Sequence, residues 1–133
     1  TGTAATATAV AQPGTAGSGK VPDLQILFEF NSAELTQQAR DRLDVLGAAL
    51  ASDQLRPYAF QIAGHTDAVG SPSYNLELSR RRAEAVVEYL ARRWGIERSR
   101  LTARGFGMRN LIDPTDGASA RNRRVEVETI VRN

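Results

Sequence analysis

The period of the apolar residues switches repeatedly between the two-residue repeat of a strand and the three-to-four-residue repeat of a helix, which leaves few architectures open. Leu24, Ile26, Phe28 and Phe30 alternate with Gln25 and Glu29, as in a strand with one strongly buried face. Leu35, Ala39, Leu43, Leu46 and Leu50 then recur at helical spacing, leaving Gln37, Gln38, Arg40 and Asp41 to solvent, so a helix is predicted from about Thr36 to Ser52. Tyr58, Phe60 and Ile62 alternate into Gly64, a second strand that hands His65, Thr66 and Asp67 to a loop at its carboxyl end. Ligands of open α/β sheets tend to sit at that end. A second helix is predicted to start after Ser71-Pro72 or at Ser73 and to run to about Trp94, where Gly95 ends it. Its inward face is Ala83, Val86, Val87, Leu90 and Trp94. A weaker third strand covers Leu101 to Arg104, and Val125, Val127, Thr129 and Val131 alternate with Glu126 and Glu128 as a last one. Between them lies a long connection, residues 105–120, rich in Gly, Asn and Asp. The order βαβαβ-loop-β predicts an α/β (α+β) sandwich, a small mixed sheet with helices packed on it.

One core is expected, since 133 residues, 41% hydrophobic and 24% charged, have the composition of one ordinary globular domain. Composition changes sharply near Lys20: the first twenty residues are almost wholly Thr, Ala, Gly and Ser, too little apolar surface to offset ordering entropy. Residues 1–22 are therefore expected to form a flexible linker and residues 23–133 the domain. The linker contains a decoy, because Gly14 and Gly19-Lys20 fit part of a phosphate-binding loop. Val21 stands where Ser or Thr should hold magnesium, no strand precedes the glycines, and Pro22 opposes the helix that should follow. The absence of cysteine excludes a disulfide framework, a thiolate metal site and a cysteine nucleophile. No run of about 18 apolar residues is present to span a bilayer, and no charged start with an apolar block marks a signal peptide. A start at Thr1 without methionine suggests a processed protein or an excised domain, so membrane contact is expected only through a segment outside this chain.

Arg82 is where pattern and chemistry conflict. It stands four residues after Leu78 and four before Val86, beside the apolar stripe rather than opposite it. Burying an unpaired charge costs several kcal/mol, roughly, so this arginine needs an acidic partner or a ligand. Arg80 and Arg81 turn away from that row and are ordinary solvated arginines. Asp67, one short loop before the same helix, is the natural partner. Two arrangements are open. If the charges close on each other they form a structural ion pair, and the domain is a structural or protein-interaction module. If they flank a gap, the carboxylate can take an ammonium and the guanidinium a carboxylate, a grip suited to an amino-acid head group.

The motif Gly64-His65-Thr66-Asp67, followed by Gly70-Ser71, Tyr74-Asn75, Leu78-Ser79, Arg82-Ala83, Val87, Tyr89-Leu90 and Gly95-Ile96, resembles the OmpA-like (outer membrane protein A C-terminal type) peptidoglycan-binding domain. The resemblance starts at Phe28-Glu29-Phe30-Asn31-Ser32 and continues through Leu101, Gly105-Phe106-Gly107 and Asn122-Arg123-Arg124-Val125-Glu126, spanning about residues 24–131. It implies non-covalent binding to the peptide stem of bacterial peptidoglycan, at the free end of meso-diaminopimelate, and a periplasmic position at the outer membrane of a Gram-negative envelope. By position in the motif, Asp67 would receive the ammonium and Arg82 the carboxylate, with hydrogen bonds from Asn75 and Thr66. Asn31 and Leu78 would line the site. Of the two arginines that follow Asn122, strand alternation lets one face the pocket, and Arg124 is favoured over Arg123. No cofactor and no metal is implied, and a homodimer is left open. Two departures are visible. Leu111 stands where the family often has a proline after its Gly-x-Gly, with Pro114 coming later, and the Gly-His-Thr-Asp form is closer to the outer membrane protein A branch than to the lipoprotein branch.

Rival classes fit less well. A single histidine cannot build the usual zinc set, so His65 is expected to cap its loop. A Ser-His-Asp hydrolase using Ser71 or Ser73 lacks a Gly-x-Ser-x-Gly nucleophile elbow after a strand, so no enzyme is expected. Nucleic-acid binding would have to use Arg80-Arg81-Arg82, Arg92-Arg93 and residues 121–124, yet acids are interspersed with these runs and no aromatic platform accompanies them. The net charge of +2 is too small to draw the chain to a polyanion.

Overall fold

The structure is a computed structural model and describes residues 25–130. Leu24, Val131 and the expected linker at residues 1–22 lie outside the described residues. The elements are β1 (Ile26–Leu27), α1 (Gln37–Leu50), β2 (Ala59–Gly64), α2 (Pro72–Trp94), β3 (Leu101–Gly105) and β4 (Arg124–Ile130), with short 3-10 turns at Arg98–Arg100 and Ala120–Asn122.

The four strands form one sheet in the order β1-β4-β2-β3. The α2 crossover brings β3 back parallel to β2, with Gly64 opposite Gly105, as a βαβ connection requires. β4 enters between β1 and β2, antiparallel to both, which makes the sheet mixed as the sequence predicts. Alternation then separates the two faces. Ile26, Phe60, Ile62, Val125 and Val127 are buried together with Leu43, Leu46 and Leu50 of α1 and Ala83, Val86 and Leu90 of α2. Gln61, Ala63, Glu126 and Glu128 instead line an open groove of about 750 Å³ with Phe106, Met108 and the residues after it.

Helix ends fall where the local chemistry places them. The Thr36 hydroxyl accepts from the Ala39 N–H at 3.0 Å, and the Ser71 hydroxyl accepts from Tyr74 at 3.2 Å, with Pro72 in the first helical turn, where its missing N–H is harmless. Gly95 closes α2 in the left-handed region at φ 67°, where a side chain would be strained. Two other glycines matter through close approach. A methyl group on Gly64 would lie 2.0 Å from the Ser79 carbonyl oxygen, and one on Gly105 would lie 2.7 Å from the Arg80 nitrogen. Their absence lets α2 lie directly on the carboxyl ends of β2 and β3.

The first strand differs from its predicted extent. Pairing with β4 is confined to Ile26 and Leu27, although the Phe28 N–H still donates to the Arg123 carbonyl at 2.9 Å. Phe30, expected on the buried face, is 57% exposed. The cause is Arg82: its guanidinium takes the carbonyls of Glu29 and Ser32, and Asn31 between them sits at φ 58°, so the chain leaves the sheet. Asparagine is among the few residues that tolerate that backbone region.

Candidate functional site

The carboxyl end of β2 is held on three sides. The N–H of His65 donates to the Arg124 carbonyl at 2.8 Å, that of Thr66 to Gly107 at 2.9 Å and that of Ala68 to Gly117 at 2.7 Å. Asp67 is thereby set 4% exposed beside α2. One of its oxygens accepts from the Val69 N–H at 3.0 Å, and the other lies 3.3 Å from Nη1 of Arg123. The Thr66 hydroxyl donates to the Asp67 carbonyl at 2.8 Å, while the Asn75 amide donates to the Val69 carbonyl at 3.0 Å and contacts Met108 Sδ at 3.5 Å. Both buried side chains therefore shape the loop that presents Asp67.

Arg82 is fully buried. Nε donates to the Ser32 carbonyl at 2.8 Å, Nη1 to His65 at 2.9 Å and Nη2 to Glu29 at 3.0 Å, and the guanidinium carbon lies 5.2 Å from the centre of the Phe28 ring. Burial, and after it the charge of Arg123, push its pKa down to about 10, against the opposing pull of Asp67. It remains a cation at neutral pH. Leu78, one turn before it, is buried on the same face of α2. Asn31 lies at the rim, its side-chain oxygen accepting a hydrogen bond from the Tyr74 hydroxyl. Asn31, Thr66, Asp67, Asn75, Leu78 and Arg82 thus gather where the β2 loop, the loop after β1 and the first half of α2 meet.

The direct Asp67–Arg82 ion pair kept open by the sequence is not the one that forms. Asp67 pairs with Arg123 instead, and Arg82 is satisfied by carbonyls. The preference for Arg124 is likewise corrected. Arg124 bonds Glu126 at 2.7 Å and the carbonyls of Asn122 and Asn110 at 3.1 and 2.9 Å, lining the groove on the open face of the sheet rather than the Asp67 site. Alternation counted back from Val125 and Val127, which face the helices, puts Arg123 on the helix side and Arg124 on the other. That signal was present in the sequence. His65 also points into the groove, stacked on Phe106 at 5.5 Å with its Nε2 4.0 Å from Glu126.

The OmpA family model matches residues 27–124, most of the chain. The chain belongs to the OmpA family. It is 35% identical to outer membrane protein A of Klebsiella pneumoniae over 114 residues, covering 77% of this chain and 33% of that protein. It is 40% identical over 82 residues to outer membrane protein A of Serratia marcescens, covering 62% and 23%. The chain therefore spans about a third or less of the length of these curated relatives. Among solved structures it resembles the peptidoglycan-associated lipoprotein from Burkholderia pseudomallei, with TM-score 0.70 and 26% identity over 80% of this chain and 90% of that one. It also resembles the cell wall anchor of the type VI secretion system from Pseudomonas aeruginosa, with TM-score 0.60 and 28% identity over 80% and 76%. In this OmpA family domain, one acid and two guanidiniums share a largely dry site, a combination that can hold an ammonium and a carboxylate at once.

Proposed function

We propose that the domain binds cell-wall peptidoglycan non-covalently, through the free end of meso-diaminopimelate in the stem peptide, and so anchors an envelope protein to the wall from the periplasmic side of the Gram-negative outer membrane. The observation that carries this reading is Asp67, a carboxylate nearly removed from solvent that contacts the guanidinium of Arg123 and acts electrostatically on the buried one of Arg82. The relatives add support, since one is named for its association with peptidoglycan and another as a cell wall anchor.

In this reading Asp67 takes the ammonium and Arg82 the carboxylate of the same head group. Three of the five N–H groups of Arg82 are on carbonyls, which leaves one on each Nη for a two-pronged contact. The Glu29–Ser32 loop must yield for the ligand to reach them. Leu78 and Asn31 line the approach, and Thr66 and Asn75 hold the loop that presents Asp67. A second reading, a protein-interaction domain of an envelope complex in which these charges only fasten loops, is favoured by the internal partners that both already have.

Sedimentation with purified sacculi separates the two. Wild type is expected in the pellet, and Asp67→Asn and Arg82→Lys, each close in shape to the native side chain, are expected in the supernatant. If wild type stays soluble the wall-binding function fails. If both variants sediment like wild type, the site is elsewhere.

A further inference from the structure

We infer that Arg123 is an internal stand-in for the ligand's ammonium, holding the free oxygen of Asp67 and leaving it only to a competing cation; this rests on the proposed binding of a zwitterion between Asp67 and Arg82. Only one carboxylate oxygen is open to such exchange, because Oδ1 is committed to the Val69 N–H and Oδ2 faces Arg123. The contact with Arg123 is a single one at 3.3 Å, longer than the 2.7–2.9 Å usual for a charge-assisted hydrogen bond. It is also the more exposed of the two cations, with its side chain 15% accessible where Arg82 is fully buried.

Arg123 is built to swing rather than to leave. Its Nε donates to the Phe28 carbonyl at 3.0 Å, a tether that keeps the side chain nearby while the Nη end lets go. Departure also relieves a repulsion, since the charge of Arg123 disfavours the protonated form of Arg82. A ligand that brings an ammonium to Oδ2 and a carboxylate to Arg82 replaces one cation by another. A ligand with a carboxylate alone leaves the Arg123 pair intact. Arg123 thus lowers the affinity for a zwitterion while leaving that for a bare carboxylate unchanged.

The test is calorimetric and NMR titration of the intact chain with free meso-diaminopimelate and with pimelate, which has the carboxylates without the amines. Arg123→Gln is expected to bind meso-diaminopimelate about five-fold more tightly than wild type, with pimelate binding unchanged. A weaker or equal affinity for meso-diaminopimelate overturns the inference, because Arg123 would then be a ligand contact or only a support. In wild type, the side-chain Nε–H resonance of Arg123 and the carboxyl carbon of Asp67 are expected to shift as the site saturates. Unmoved signals at saturation overturn it independently of how the variant folds. Wild type that binds neither compound overturns the zwitterion reading itself, a result distinct from binding without any gain in Arg123→Gln.

Discussion

At Asp67 each atom of the carboxylate has a separate duty: one oxygen fixes the loop through Val69, and the other meets Arg123. Asp67→Asn keeps an acceptor for the Val69 N–H and removes the charge, so it is expected to fold like wild type and to lose at least about ten-fold in affinity for meso-diaminopimelate, measured by calorimetry. Gly64 shows the opposite kind of sensitivity, structural rather than chemical. With the Ser79 carbonyl oxygen 2.0 Å from the place a methyl would occupy, Gly64→Ala must push α2 off the sheet, a cost of about 1–3 kcal/mol readable as a lower melting temperature. Arg82 was legible from sequence as a charge out of place in an apolar stripe, and its burial follows from that position. Its partners were not legible, because the carbonyls of Glu29, Ser32 and His65 carry no side-chain signature. The side that Arg123 faces was readable from strand alternation, and points the other way from the choice of Arg124.

Among elements, the two helices are joined by one acid. Asp44 of α1 accepts from the Tyr89 hydroxyl at 2.8 Å and from the Trp94 indole N–H at 2.9 Å, and Gly47 makes room for the indole, since a methyl there would lie 2.4 Å from the ring. The Trp94 bond, more than that from Tyr89, holds the Asp44 carboxyl below its ordinary value of 3.8. A depressed acid contributes stability that is complete above its unfolded pKa and is lost as pH falls through the folded value. Wild type should therefore lose more stability than Asp44→Asn between about pH 5 and about pH 2, as followed by thermal melts across that range. Asp44→Ala, which removes both bonds, should cost about 1–2 kcal/mol at neutral pH. The helix limits were readable to within a residue or two from Thr36, Ser71 and Gly95, because caps are local chemistry. β1 was not, since what ends it is Arg82, more than fifty residues away, drawing the Glu29 carbonyl out of the sheet.

On the scale of the whole molecule, the sheet, both helices and the candidate site all lie within residues 25–130. If residues 1–22 are a linker as proposed, a chain trimmed to residues 23–133 should keep the melting temperature and the sacculus binding of the full chain. Binding through one enclosed zwitterion should also weaken only modestly with added salt. A loss of about a thousand-fold between 50 and 200 mM, read by repeating the sedimentation at both concentrations, would mark many exposed charge contacts in place of one enclosed head group. By itself the amino-acid order determined the sequence of strands and helices, the buried faces of both helices and of the inner strands, the helix caps and the family motif, because periodicity and capping act over a few residues. Only the tertiary structure decided that β4 enters between β1 and β2, that α2 rests on Gly64 and Gly105, and that Asp67 closes on Arg123 while Arg82 turns to backbone carbonyls. Those outcomes depend on which charges and hydrogen-bonding groups come together after distant segments meet, and no local pattern ranks such partners.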